Sequence, residues 1–216
     1  MRRLATLFLS LLPGAALACG GPVCLVDPDS LSLPRIITFE DVQSGAGPGR
    51  YISDILPLDG ATIGERFAGQ SIVTRGAHDE ITGEALAPLT VMPGAEGENF
   101  SVVHFYGQTV INGFGQAGFP RRDGQGEGAL AVLFDKDQSA FAFDLRGGED
   151  GAAYVSIYRR DGALIGQVAV QPTGEFAVGF LRSAGESDIA GFIITNSDPQ
   201  GLAIDTIRFG RIPELS

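Results

Sequence analysis

The sequence predicts an all-β protein folded as an antiparallel β-sandwich. Three observations carry this. The stretch Asp188–Gly210 alternates with period 2: Ile189, Gly191, Ile193 and Thr195 against Ala190, Phe192, Ile194 and Asn196, then Leu202, Ile204, Thr206 and Arg208 against Ala203, Asp205, Ile207 and Phe209. Such alternation marks strands with one face on a core. Short runs of this kind recur about every ten residues from Ala129 onward, separated by turn residues. The chain of 216 residues carries 31 glycines, enough for many tight turns, and no amphipathic helical pattern stands out.

Residues 1–18 come first. Arg2 and Arg3 precede an apolar centre, Leu4–Leu12, and Ala16-Leu17-Ala18 supplies a small-x-small cleavage site. This is the pattern of a removable secretory signal, too short to span a membrane. No other stretch approaches a membrane span. The expected location is therefore secreted or periplasmic. Loss of Arg2 and Arg3 takes the formal charge from −11 to about −13. That acidity argues against nucleic acid and anionic lipid as partners and is compatible with divalent cations.

Residues 19–34 read as a cysteine-containing linker. Cys19 and Cys24, in CGGPVC, are the only cysteines. In an exported chain they are expected to pair as a disulfide. The competing reading is a lipid anchor on Cys19, against which Ala16 stands where such signals favour Leu. Two thiols without a nearby His give too few ligands for a metal.

The sandwich itself is assigned to 35–212. Arg35–Val42 is its first strand, and Ile52–Leu58, Thr62–Thr74 and Leu89–Met92 supply more. Gly76–Glu84 reads as a polar loop. Phe100–Asn112 reads as a strand pair or one bent strand. Gly113–Gly128 is Gly-rich, with Arg121, Arg122 and Asp123, and is the best placed functional loop. Ala129–Phe134 and Ser139–Leu145 flank a hairpin turn at Asp135-Lys136-Asp137-Gln138. That turn opens like a calcium loop but lacks the following Gly and the closing Glu, since position 146 is Arg. Ala153–Arg159 and Ala163–Val170 flank Arg160-Asp161-Gly162, a tight hairpin signal. Glu175–Leu181 and the closing strand pair complete the set. On the alternation of the last run, Asp205 shares a core face with Ile207 and Phe209 and so needs a partner.

The segments YVSIYRRDGALIGQVAV, FAVGFLRS, DIAGFIIT and LAIDTIRFG, with ITFED and ERFAGQ nearer the start, resemble secreted bacterial jelly-roll domains. These are galactose-binding-like or carbohydrate-binding-module-like sandwiches, many of them in exported proteins with a Pro-Glu-Pro (PEP-CTERM) sorting tail. The similarity covers about residues 35–210. The chain departs from the sorted proteins in having no apolar tail after Gly210, so the resemblance implies no sorting by that route. It does imply a jelly roll with first and last strands adjacent, and a structural Ca²⁺ near their ends, where Glu40, Asp41 and Asp205 would converge. Calcium is the one cofactor implied.

The function expected on these grounds is non-catalytic binding of a glycan or another extracellular surface ligand. The loops Gly45–Tyr51, His78–Glu84 and Gly113–Gly128 would form the binding edge, with Tyr51, His78, Asp79, Glu80, Arg121, Arg122 and Asp123 as contact residues. The absence of Trp leaves Tyr51, Tyr106, Tyr154, Tyr158 and exposed Phe residues for stacking on sugars. The alternatives are a matrix protein acting through protein contacts and, last, a jelly-roll hydrolase. No Gly-x-Ser-x-Gly elbow is present, no carboxylate pair is singled out, and His104 reads as a strand histidine.

Overall fold

A computed structural model describes residues 19–210; the signal sequence expected at 1–18 lies outside them. Two antiparallel sheets face each other. In chain order the strands are β1 (Val23–Val26), β2 (Arg35–Ile37), β3 (Arg50–Ile52), β4 (Leu56–Leu58), β5 (Ala61–Gly64), β6 (Arg66–Phe67), β7 (Ser71–Arg75), β8 (His78–Thr82), β9 (Val91–Met92), β10 (Phe100–Phe105), β11 (Gln108–Phe114), β12 (Gln125–Gly128), β13 (Leu130–Gln138), β14 (Ala140–Gly147), β15 (Ala153–Tyr158), β16 (Leu164–Val170), β17 (Phe176–Arg182), β18 (Ile189–Asn196) and β19 (Leu202–Phe209). The nine-stranded sheet runs β1-β17-β14-β19-β11-β10-β3, with β2 beside β19 and β12 beside β11; the six-stranded sheet runs β16-β15-β18-β13-β5-β4. The expected adjacency of Arg35–Ile37 and the last strand holds, with Ile37 opposite Ile207.

Aromatic side chains fill the space between the sheets. Phe141 of β14 and Phe192 of β18 stack across it, their centroids 4.5 Å apart and their rings within 6° of parallel. Phe134, Phe143, Phe180 and Phe209 complete the layer, all buried. Each such ring contributes about 1.5–3 kcal/mol by leaving water, and each good pair about 0.5–1.5 kcal/mol more.

Two expected hairpins are not hairpins. Leu130–Gln138 is one strand of the six-stranded sheet, and the chain crosses at Ser139 to β14 in the other. The turn-like Asp135–Gln138 lies along that strand, at a register shift. Likewise β18 and β19 lie in opposite sheets, joined by Ser197–Gly201. The β15–β16 hairpin over Arg160-Asp161-Gly162 forms as expected, as does the β10–β11 pair. The expected loop Gly76–Glu84 instead holds β8, which pairs with β7 along its length.

The outer faces are only half covered. Segment 65–92 lays Phe67, Leu89, Val91, Ile72 and Ile81 over Ala129, Ala131, Ala190 and Ile193 of the six-stranded sheet. This second covered face is why β18 is apolar almost throughout. On the nine-stranded sheet, Leu31 and Leu33 cover Ala140 and Ala142. Residues 19–34 are thus no linker: β1 pairs with β17 from Val23 opposite Arg182 to Val26 opposite Gly179. The Cys19–Cys24 disulfide is formed, with Cα atoms 5.4 Å apart.

Candidate functional site

The uncovered half of the nine-stranded sheet carries the larger groove, of about 620 Å³. Its floor comes from strand residues pointing away from the core: Val103 on β10, Val110 and Asn112 on β11, Ala203 on β19 and Arg146 on β14. Their in-sheet neighbours Val102, Ile111, Leu145 and Ile204 point inward and hold the floor flat. Arg122, Gln125 and Gln200 form one rim and Glu175 another, while Phe105, Tyr106 and Gln108 stand at the end.

That end is the turn of the β10–β11 hairpin. Phe105 pairs with Gln108, leaving Tyr106-Gly107 as a two-residue loop. Both loop residues have positive φ, +48° for Tyr106 and +83° for Gly107, the combination that favours Asn-Gly. Tyr106 is nevertheless 93% exposed and Phe105 60% exposed, and the rings meet edge to face at 4.2 Å. A bulky side chain held in a left-handed conformation, with its ring in water apart from that one exposed contact, gains little for the fold and costs on the order of 1 kcal/mol.

Arg146 is the charged centre of the floor. Its Nη2 donates to Asp205 Oδ2 at 3.3 Å, its sole hydrogen bond among the described residues. Glu175 is 3.9 Å away, and Nε is buried without any partner. Asp205 therefore has the partner its burial demands, but it does not lie on the core face with Ile207 and Phe209. A register shift in the β14–β19 pairing reverses the alternation between Ile204 and Ile207, turning Asp205 to the outer face.

The expected calcium set does not assemble. The β2 strand ends at Ile37, and Phe39, at φ +62°, turns the chain away. Glu40 then receives the backbone N–H and the hydroxyl of Thr109. Asp205 is held by Arg146 and by the Thr206 N–H, and Asp41 stays in the exposed turn. No group of three His, Cys, Asp or Glu suited to a metal occurs among the described residues.

The other contact residues divide between places. Arg122 lines the large groove. Arg121 and Asp123 face solvent beside it, 3.5 Å apart. Tyr51 is a structural peg: its ring packs on Phe119 and its hydroxyl accepts from Gly97 N and donates to Ala95 O. His78, Asp79 and Glu80 line a smaller groove of about 480 Å³ on the six-stranded sheet, with Tyr154, Ser156 and Thr195. There His78 Nε2 meets Asp198 O at 2.9 Å, Glu80 pairs with Arg75 at 2.6 Å, and Asp79 accepts from Ala129 N at 3.1 Å. Burial pushes the Asp79 carboxyl up to about 7, against that hydrogen bond; Glu65, Glu98 and Glu127 push the same way.

Sequence reasoning missed Arg146, Phe105 and Asp198. Asp198, wholly buried in the β18–β19 crossing, accepts from Thr173 Oγ1 at 2.5 Å and Gln200 N at 2.9 Å. The one readable signal was Phe-Tyr-Gly, an aromatic pair where a hairpin must turn.

No protein-family model matches the chain, and no curated protein matches it either. No helix among the described residues is long and apolar enough to cross a membrane. The molecule is an all-β protein of antiparallel sheets with a disulfide near its start.

Proposed function

We propose that this is an exported, non-catalytic β-sandwich module that binds a glycan in the groove of the nine-stranded sheet. The signal-like residues 1–18 and the disulfide support export. The observation that carries the binding reading is Tyr106: a strained turn position keeps an aromatic ring in water, beside Phe105, at the end of a groove lined by both apolar and polar groups. Strain kept without benefit to packing is a mark of function. Aromatic faces suit the apolar faces of sugar rings, and Asn112, Gln108, Gln125 and Gln200 bring amide donors and acceptors for hydroxyls. Glu175 is the one carboxylate among the residues lining this groove, whereas glycoside hydrolysis generally uses a facing pair. This favours binding over cleavage.

A glycan array probed with the mature protein, alongside Phe105→Ala and Tyr106→Asn, tests the reading. Binding by the parent and its loss in both variants is expected. A parent that binds no glycan, or variants that bind unchanged, would overturn it.

A further inference from the structure

Resting on that glycan reading, we infer that the sugar carries a carboxylate, as a uronic acid does, and that Arg146 and Arg122 receive it.

The groove holds two guanidinium groups with donors to spare. Arg146 makes one hydrogen bond, to Asp205, although a guanidinium has five N–H donors. Its contact with Glu175 is too long for a hydrogen bond, and its buried Nε has no partner. That Nε lies out of reach of the groove, so what a ligand can meet are the Nη hydrogens not taken by Asp205. Arg122 forms no ion pair among the described residues, unlike Arg121 beside it, which meets Asp123. The 3-10 turn Arg122–Gly124 sets it on the rim.

These arginines stand out against the protein's acidity. With a formal charge of −11 the molecule repels anions at long range. It is therefore no general anion trap, and a ligand must combine short-range features. The arginine fork matches a carboxylate in two parallel hydrogen bonds. The Phe105–Tyr106 platform lies in the same groove, toward the other end of β11 from Gln125, and offers a surface for another ring of the same chain. A neutral oligosaccharide would leave the arginines as they are, and a simple carboxylate would leave the aromatic rings uncovered. An oligomer of hexuronates satisfies both.

The test compares a short oligogalacturonate with its carboxyl-reduced counterpart by calorimetric titration of the mature protein. The native oligomer should bind at least about tenfold more tightly, the worth of one charge-assisted hydrogen bond. Arg122→Gln, a rim change outside the core, should erase most of that difference without moving the melting temperature. Arg146→Lys, which keeps the charge and loses the fork, should weaken the native oligomer selectively. Equal binding of the two oligomers would sink the carboxylate assignment and leave glycan binding standing. Binding of neither, with a neutral glycan bound on the array, would sink it too. Failure across the whole array would take both readings down. Preference for an acidic peptide over the oligogalacturonate would likewise overturn the assignment.

Discussion

The Arg146 guanidinium and the Asp205 carboxylate face each other at 3.3 Å on the outer side of the nine-stranded sheet, joined by strands 59 residues apart. The Asp205 side chain is only 8% exposed, so the pair matters to the fold as well as to the groove. Replacing Arg146 with Met leaves a buried carboxylate unpaired and should cost roughly 2–4 kcal/mol. The double variant Arg146→Met/Asp205→Asn should recover a good part of that loss. Urea unfolding of the parent, the two single variants Arg146→Met and Asp205→Asn, and the double variant measures both, and additive losses would show that the two residues do not interact.

Tyr106 offers a trade between stability and binding. Asn fits a left-handed turn position better than Tyr does. Tyr106→Asn should therefore stabilise the protein by about 0.5–1 kcal/mol while weakening glycan binding. A variant both less stable and unaltered in binding would refute the view that the ring is kept for ligand.

Asp79 should impose a pH dependence of its own. Its carboxyl titrates near 7 when folded, against an ordinary value of 3.8, so the folded state holds the proton across that interval. The stability linked to it is complete below about pH 4 and is lost as the pH climbs through 7, on the order of 3–4 kcal/mol in all. Burial also raises Glu65 and Glu127, which steepens the fall. Asp79→Asn keeps the acceptor for Ala129 N and should flatten the profile. It should unfold like the parent at pH 4.5 and later than the parent at pH 8. Parallel profiles would show that Asp79 titrates normally.

Asp198 ties the crossing between sheets. Its carboxylate holds Thr173 and Gln200, its own N–H donates to Asn196 Oδ1, and its carbonyl meets His78. Truncation to Ala strands the Thr173 hydroxyl and the Gln200 N–H while leaving the two backbone contacts, and should cost about 2–3 kcal/mol, a fall of roughly 5–10 °C in Tm. Thr173→Val should cost about half as much. A melting temperature unchanged in Asp198→Ala would show the network to be incidental.

The strands themselves were largely legible, because alternation survives wherever one face is buried. What could not be read was which strand met which. Asp135-Lys136-Asp137-Gln138 has the composition of a turn, yet it lies within a strand whose register shifts there, with Asp135 to Asp137 exposed and Gln138 buried. His78–Thr82 is too polar to announce itself, since its pairing with Ser71–Arg75 decides its conformation. The residue at 205 was placed on the wrong face for one reason: strict period 2 fails across a bulge, and a bulge leaves no mark in the residues Ile204-Asp205-Thr206-Ile207. Arg146 was invisible as a site residue because its role depends on β14 lying beside β19, a long-range fact. The loop residues fared unevenly. Arg122 and the His78–Glu80 run do reach grooves, whereas Tyr51 was claimed by Gly97 and Phe119 for internal bracing.

The arm that begins at the disulfide guards a vulnerable border. Val23–Val26 completes the rim of its sheet, and the Pro22 carbonyl takes hydrogen bonds from Arg182 and Ser183. Were a protease to clip this arm away, the backbone from Gly179 to Arg182 would become a naked template for strands of other molecules. Trimmed protein would then stick to itself, so the integrity of residues 19–30 sets how long the protein stays dispersed.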